Sequence, residues 1–337
     1  MENKKVIMKV ENLSKEFVIH GKKLMEPKKM LHALSDVSFE IYEGETLGII
    51  GESGCGKSTL GRCLVQLHKP TSGTILYEGE DLWKMTGEKR KETRRNIQMI
   101  FQDPYSSLDP RKTASYSIEE AMKVHGMGED SRERHQRALE ALQEVGLDIQ
   151  HMERYPHEFS GGQRQRVNIA RALSISPKVI VCDEPVSALD VSIQAQVINL
   201  FKKIQQERKL TYVFISHDLG VIKHVSDRIA IMYLGRIVEL CEAEAIYKNP
   251  LHPYTQGLLA CVPRLTGGGI SAGIYGYIPS YVNPPKGCRF FNRCPHCTER
   301  CKQEKPGTYM AAENHAVSCF LYEDKGPAKE RGDGHVE

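Results

Sequence analysis

Short apolar runs alternate with longer amphipathic stretches from residue 6 to residue 260. The clearest apolar runs lie at 46–50, 179–182 and 212–215, and a polar or glycine-rich turn follows each of them. Helical patterns follow at about 57–68, 161–174, 191–208 and 218–225. Because strands that alternate with helices form parallel pairs, this order predicts an α/β domain with a largely parallel sheet.

Three segments depart from this alternation. Residues 90–160 are charged and mostly helical in pattern, which predicts a helical subdomain inserted into the α/β domain. Residues 262–287 are rich in Gly, Pro, Ser and Tyr, which predicts a linker or an irregular extended segment. Residues 323–337 are charged and contain glycine, so we expect a disordered tail there. The predicted organisation is an α/β domain over 1–260, a C-terminal region over 261–322 and this tail.

Composition narrows the classes of protein. Among the 337 residues, 46 are Lys or Arg and 43 are Asp or Glu, which gives a net charge of +3. This even balance argues against a protein that coats nucleic acid through bulk charge. No apolar run approaches the roughly 18–20 residues of a membrane helix, and the first ten residues lack a signal-peptide core. We therefore expect a soluble cytoplasmic protein without a nucleic-acid partner, which another protein would have to anchor at any membrane.

A glycine-rich segment directly after the first apolar run carries the clearest chemistry. Residues 51–59, Gly-Glu-Ser-Gly-Cys-Gly-Lys-Ser-Thr, match the pattern G-x-x-x-x-G-K-[ST] between a predicted strand and a predicted helix. Backbone N–H groups of such a loop surround phosphate oxygens, and the helix N-terminus adds a favourable potential. Lys57 would reach the β and γ phosphates of ATP, and Ser58 would ligate Mg²⁺. The predicted nucleotide-binding residues here are Gly51, Ser53, Gly54, Cys55, Gly56, Lys57, Ser58 and Thr59.

Two acidic residues end the second apolar run. A buried strand would deliver Asp183 and Glu184 to the carboxyl edge of the sheet, where ligands bind in such folds. Asp183 suits the ligand shell of Mg²⁺, and Glu184 would polarise the attacking water. Without the phosphate loop, a simple strand-end cap would be an equally good interpretation.

A second glycine-rich helix start identifies the class of ATPase. Ser160-Gly-Gly-Gln lies directly before an amphipathic helical pattern and 23 residues before Asp183. At this point the chain resembles the ATP-binding cassette family, whose signature is Leu-Ser-Gly-Gly-Gln, with Phe159 here in the place of the Leu. The resemblance implies that Ser160, Gly161, Gly162 and Gln163 contact ATP bound to another subunit.

Other landmarks of this family follow in order. Gln102 matches the Q-loop glutamine, which in the family senses nucleotide, joins the Mg²⁺ ligands and contacts the membrane partner. Residues 187–190 match the D-loop, and His217 matches the switch histidine that contacts the γ-phosphate. The resemblance thus implies that Lys57, Glu184 and His217 are catalytic. Phe17 is the best aromatic candidate for stacking on adenine, and the alternative is a core residue of a first hairpin.

The resemblance covers about residues 6–250 and implies the fold of a P-loop ABC ATPase. That fold has a RecA-like core, an antiparallel β subdomain and an inserted α-helical subdomain. Two ATPase subunits would pack head to tail, with each ATP between the phosphate loop of one and the signature of the other. ATP would favour the closed dimer, and hydrolysis would release it.

Three further segments, 102–111, 249–255 and 283–290, resemble F-type ATPase subunits of oligopeptide and dipeptide importers. This implies two transmembrane permease subunits, an extracellular or periplasmic substrate-binding protein and a peripheral location on the cytoplasmic face of the membrane. A second ATPase subunit would be a D-type sister, or else a copy of this chain. Nickel and some sugar importers share these segments, so those substrates stay open. The alternative from another class is a nucleotide-binding redox or metal sensor module.

Half of the ten cysteines lie in the last 50 residues. A cytosolic chain has little use for disulfides, and the spacing fits neither paired zinc knuckles nor a zinc finger. The importer family carries four cysteines spaced like Cys288, Cys294, Cys301 and Cys319, and some members hold a [4Fe–4S] cluster there. The resemblance implies such a cluster on these four, with Cys297 as an alternative ligand. A zinc site, or no metal at all, is the alternative.

Overall fold

Two β-sheets and a helical lobe organise the chain. The computed structural model describes residues 4–19, 28–261, 276–277 and 279–325. The strands are β1 Val6–Ile19, β2 Lys29–Tyr42, β3 Thr46–Ile50, β4 Ser72–Tyr77, β5 Glu80–Asp81, β6 Ile97–Ile100, β7 Val179–Asp183, β8 Thr211–Ser216, β9 Arg228–Tyr233, β10 Arg236–Glu242, β11 Tyr309–Ala312 and β12 His315–Val317. The helices are α1 Lys57–Leu64, α2 Gly87–Asn96, α3 Ala114–Val124, α4 Ser131–Glu144, α5 Gly161–Leu173, α6 Val191–Arg208, α7 Leu219–Val225, α8 Ala243–Lys248, α9 Pro253–Ala260 and α10 Glu299–Gln303.

The larger sheet has eight strands in the order β11-β12-β10-β9-β3-β8-β7-β6. Strands β6, β7, β8, β3 and β9 pair in parallel, which confirms the predicted α/β domain with a largely parallel sheet. The other three strands pair antiparallel at one edge. Since β11 and β12 come from the C-terminal region, that region continues the main sheet, a connection that the sequence did not predict.

The smaller sheet is antiparallel, with the order β2-β1-β4-β5. It corresponds to the antiparallel β subdomain that the resemblance implied. Its long strands β1 and β2 form a hairpin whose register shifts at several points. The apolar residues of this hairpin face a core that also contains residues of α1 and one face of the larger sheet.

Alternation along the buried strands separates two cores. Val179 and Val181 of β7 enter the core shared with the smaller sheet, whereas Ile180 and Cys182 enter the core shared with the helices. Successive side chains of a strand point to opposite faces, so a strand buried on both faces is apolar throughout. This burial on both faces explains the continuous apolar run before Asp183 in the sequence.

The predicted helices at about 57–68, 161–174, 191–208 and 218–225 appear as α1, α5, α6 and α7. Helix α5 starts where it does because the Ser160 side chain accepts a hydrogen bond from the backbone N–H of Gln163. The Asp218 side chain accepts hydrogen bonds from two backbone N–H groups at the start of α7. These caps satisfy N–H groups that lack a partner within the helix.

Two predicted boundaries differ from the structure. Residues 97–100, which were predicted to belong to the inserted helical subdomain, form β6 of the main sheet, and the lobe of α3 and α4 begins at residue 114. The apolar run at 97–100 is too short, and too closely flanked by charged residues, for its sequence to predict a strand. Its pairing with β7 determines its conformation. Residues 323–325, predicted as part of the disordered tail, belong to a 3₁₀ helix over Phe320–Lys325, while 326–337 lie outside the described residues.

Of the predicted linker, residues 262–275 and 278 lie outside the described part of the chain. Residues 279–287 are described and contain neither helix nor strand. Within the described residues, no helix combines the length and the apolar character that crossing a bilayer requires.

Candidate nucleotide site and cysteine cluster

The predicted phosphate loop joins β3 to α1 at the carboxyl end of a central strand. Gly51 directly follows β3 and lies very close to Met232. A Cβ at position 51 would be 2.1 Å from the Met232 carbonyl oxygen. Gly56 has φ +108°, a left-handed conformation that other residues rarely adopt. The predicted residues Gly51, Ser53, Gly54, Cys55 and Gly56 lie in this loop, and Lys57, Ser58 and Thr59 form the first turn of α1.

The Lys57 side chain folds back into the loop. Its Nζ donates hydrogen bonds to the carbonyl oxygens of Gly51 at 2.7 Å and Glu52 at 3.1 Å. These bonds hold the ammonium group at the N-terminus of α1, where helix dipole and backbone N–H groups already favour an anion. The geometry suits the predicted contact with the β and γ phosphates.

Ser58 and Asp183 meet across the sheet edge. The Ser58 Oγ donates a hydrogen bond of 2.8 Å to the Asp183 Oδ1. Asp183 is 2% exposed, and burial raises the pKa of its carboxyl group although this hydrogen bond opposes the shift. A carboxylate and a hydroxyl oxygen side by side are hard ligands of the kind that Mg²⁺ prefers. The donor set therefore fits the predicted magnesium site.

Glu184 is the meeting point of three strand ends. The Gln102 Nε2 donates to the Glu184 Oε2 at 3.1 Å, and the His217 Nδ1 lies 3.1 Å from the same oxygen. Gln102 follows β6, Glu184 follows β7 and His217 follows β8, so their proximity results from the parallel order of these strands. Glu184 has φ +48°, an uncommon conformation for a residue with a side chain. A single carboxylate oxygen is thus oriented by two neighbours.

The signature residues lie elsewhere. Ser160 caps α5, and Gly161, Gly162 and Gln163 form its first turn. Gly162 packs against Ile193 of α6, where an added Cβ would lie 2.3 Å from the Ile193 Cγ2. Among the described residues, no side-chain hydrogen bond joins this turn to the phosphate loop of the same chain. The structure does not bring the signature into its own site.

Cys55 and Phe17 differ in how they relate to the phosphate loop. The side chain of Cys55 is 1% exposed, and burial raises the pKa of its thiol, whose sulfur lies 3.9 Å from the Lys57 Nζ. Phe17 lies half-buried on β1, outside both cores, with its ring edge-on to His68 at 5.5 Å. The described contacts of Phe17 do not join it to the phosphate loop.

Four of the five C-terminal cysteines line one cavity of about 110 Å³. They are Cys288, Cys294, Cys301 and Cys319, and Cys297 does not line it. Burial raises the pKa of Cys288 to about 12 and that of Cys319 to about 11, with neighbouring thiols adding to the effect. Soft sulfur donors in a mostly apolar cavity suit zinc or an iron–sulfur cluster chemically, although no three of these four sulfurs lie within 4.8 Å of one another.

Two sets of contacts that no sequence motif indicated join the C-terminal region to the rest of the chain. Arg293 pairs with Glu52 of the phosphate loop. In β10, buried Glu239 accepts hydrogen bonds from the backbone N–H groups of Leu251 and His252 and lies 2.7 Å from the His315 Nε2. Burial alone would raise the pKa of Glu239, but these hydrogen bonds outweigh it and lower the pKa.

Known proteins resemble the chain over nearly its whole length. A family described as "ABC transporter" matches residues 34–187, and one described as "Oligopeptide/dipeptide transporter, C-terminal region" matches residues 238–301. The oligopeptide transport ATP-binding protein AppF of Bacillus subtilis is 51% identical over 325 residues, covering 95% of this chain and 98% of AppF. The oligopeptide transport ATP-binding protein OppF of Salmonella typhimurium is 46% identical over 326 residues, covering 95% of this chain and 97% of OppF.

A solved structure shares the architecture. The dimeric structure of a post-hydrolysis state of the ATP-binding cassette MJ0796 bound to ADP and Pi is 31% identical to the chain, with a TM-score of 0.61. The match covers 70% of this chain and 98% of that one.

Proposed function

The chain belongs to the ABC transporter family as an ATP-binding subunit of the oligopeptide/dipeptide type, and from this premise we propose how its site powers peptide import. It is an ATPase whose turnover drives a transporter. The observation that carries the mechanism is the convergence of Gln102 and His217 on one oxygen of Glu184, beside the Ser58–Asp183 pair.

ATP binding begins at the phosphate loop. Lys57 and the backbone N–H groups of the loop neutralise and orient the β and γ phosphates. Ser58, Asp183 and Gln102 would hold Mg²⁺, which supplies charge neutralisation at the phosphates when bound. Half-buried Phe17 would add stacking on adenine.

Hydrolysis depends on the orientation of Glu184. Its carboxylate accepts a proton from the attacking water, and Gln102 and His217 hold the carboxylate in place. His217 also contacts the γ-phosphate, so that loss of this phosphate changes the contacts around Glu184. Such chemistry is mainly positioning and charge stabilisation.

A second ATPase subunit completes the site. The signature turn Ser160–Gln163 has no hydrogen bond to its own phosphate loop in the described residues, whereas the N-terminus of α5 offers an anion-binding end to a partner. Val191, directly after the D-loop, is 83% exposed, which supports an interface there. We propose a head-to-tail dimer with a D-type sister, a homodimer being the alternative.

We further propose that the chain acts peripherally at the cytoplasmic face of the membrane, bound to two permease subunits and served indirectly by a substrate-binding protein. An affinity-tagged chain purified from detergent-solubilised membranes should carry two hydrophobic subunits and the second ATPase. The same cells should lose peptide uptake when the chain is deleted. Recovery of the chain without membrane subunits would contradict the importer, and intact peptide uptake with lost nickel or sugar uptake would identify the other substrate classes.

The four-cysteine cavity is proposed to hold a [4Fe–4S] cluster, with zinc as the alternative. The enclosure of Cys288, Cys294, Cys301 and Cys319 around one cavity supports this ligand set, and the position of Cys297 outside it argues against the fifth thiol. A structural role fits best because nothing in ATP hydrolysis needs electrons.

Anaerobically purified protein should be brown and should contain about four irons per chain. Cys301→Ser is expected to lose this iron because it removes a sulfur from the cavity, whereas the matched control Cys297→Ser should keep it. Iron analysis and visible absorbance give the readout. A colourless sample with stoichiometric zinc would reject the iron–sulfur cluster, and equal metal loss in both variants would reject the ligand set.

A further inference from the structure

The C-terminal region reaches the phosphate loop through Arg293. Two nitrogens of this guanidinium each lie 2.9 Å from a carboxylate oxygen of Glu52, the second residue of the loop. The two residues are 241 positions apart. The Arg293 side chain is only 6% exposed. Because the pair is bidentate and largely shielded from water, it holds its partners more firmly than a surface ion pair does.

Glu52 is held at three places. Its backbone N–H donates to the Tyr254 hydroxyl at 3.0 Å, and its carbonyl oxygen accepts a hydrogen bond from the Lys57 Nζ at 3.1 Å. The carboxylate is the third place, and Arg293 holds it. Arg293 therefore acts on the residue that positions the phosphate-binding lysine.

Charge gives Arg293 a second effect on the loop. Glu52 adds a negative charge to a loop that binds a polyanion, and this charge opposes phosphate binding. The guanidinium of Arg293 offsets it. Without Arg293, the Glu52 carboxylate would stay unpaired beside the phosphates of ATP.

At its other end, Arg293 adjoins the cysteine cavity. It directly precedes Cys294, and its guanidinium lies 6.0 Å from the centre of the Phe290 ring, which also lines the cavity. A second series of contacts begins beside Cys288, where Arg289 donates a hydrogen bond to the Leu234 carbonyl oxygen. The neighbouring Gly235 donates its N–H to the Cys55 carbonyl oxygen of the phosphate loop at 2.8 Å.

We infer that Arg293 is a positioning residue of the ATP site, and that through it the filling of the four-cysteine cavity raises the affinity for ATP. A bound metal fixes Cys294, and with it the adjacent Arg293. Because coupling between two ligands is reciprocal, ATP must raise the affinity for the metal by the same factor. The positioning role of Arg293 rests on the ion pair alone, whereas its coupling to the cavity rests on the metal site proposed above.

The role of Arg293 is tested on the full chain by titration calorimetry with ATP. Arg293→Gln should weaken ATP binding about tenfold, raising the KM for ATP while kcat stays within about twofold. Arg300→Gln is the matched control, since Arg300 also lies beside the cavity but pairs with Glu304 and Glu323. The double variant E52Q/R293Q removes the unpaired carboxylate but does not restore the anchor, so it should recover only part of the affinity.

Thermal melting of each variant verifies that it is folded. ATP affinity of Arg293→Gln within about twofold of the original chain would overturn the positioning role. So would an equal loss in Arg300→Gln, or a double variant that binds ATP as tightly as the original chain.

The link to the cavity is tested with zinc as the probe metal, added to full chain stripped of metal and kept reduced. Zinc should raise ATP affinity about tenfold in the original chain and less than about twofold in Arg293→Gln, and ATP should slow zinc removal by a chelator. Bound zinc without an effect on ATP affinity would overturn the link. A chain that binds neither zinc nor iron overturns the metal site and the link together, whereas the comparison of Arg293→Gln with Arg300→Gln still decides the role of Arg293.

Discussion

Replacing Glu184 with Gln is expected to abolish ATP turnover while ATP still binds. The amide keeps the size of the side chain and its contacts with Gln102 and His217, but it cannot accept a proton from the attacking water. General bases contribute roughly 100-fold to 10,000-fold, so steady-state hydrolysis should fall at least about 100-fold. The phosphate contacts of Lys57 and the Ser58–Asp183 pair are untouched, and the ATP-bound dimer should therefore accumulate.

Phosphate release and ATP titration measure the two parts of this result, in the assembled complex if the chain alone is inactive. Glu207→Gln is a suitable control because this exposed glutamate lies on α6, away from the site. Normal steady-state hydrolysis by the Glu184→Gln variant would remove Glu184 from the mechanism. If the original chain binds ATP without turnover and responds to oxidation, the sensor alternative is favoured.

Replacing Glu239 with Ala is expected to destabilise the attachment of the C-terminal region by about 3–5 kcal/mol. The carboxylate is 1% exposed and accepts hydrogen bonds from the backbone N–H groups of Leu251 and His252. It also contacts His315 of β12, the strand that pairs with β10. Truncation leaves these buried groups without a partner, and each unsatisfied group costs about 1–3 kcal/mol.

Urea unfolding followed by circular dichroism gives the free energy of unfolding, and limited proteolysis shows whether the C-terminal region detaches first. Glu242→Ala is the matched control, because Glu242 ends the same strand but is exposed. A loss below about 1 kcal/mol for Glu239→Ala would show that the buried carboxylate is not what holds β12 to β10.

The fold and much of the candidate site were predictable because their signals are local. Glycines at 51, 54 and 56, with Lys57 next, appear together in the sequence since one turn needs them together. A doubly buried strand leaves a continuous apolar run, so the sequence alone places Asp183 and Glu184 at the end of that strand. The comparisons confirm the family, while the roles of the individual site residues stay predictions.

Other features left weak local signals. Residues 97–100 form a strand because they pair with β7. Four residues among charged neighbours are too few for the sequence pattern to indicate a strand. The burial of the Cys55 side chain follows from the core beneath the loop, although the motif itself allows any residue at that position. The contact between Gln102 and Glu184 spans 82 residues, and strand order alone creates it.

The sequence by itself determined the family, the α/β fold and the phosphate loop, while the metal of the cysteine cluster stays a prediction. Only the tertiary structure decided that β11 and β12 continue the main sheet, which four of the five cysteines surround one cavity, and that Arg293 reaches Glu52. The physical reason is the separation along the sequence between the residues that make each contact. Turns, caps and buried strands depend on neighbouring residues and leave periodic patterns, whereas a contact across 241 residues depends on how separate segments pack, and neither partner carries a local mark of the other.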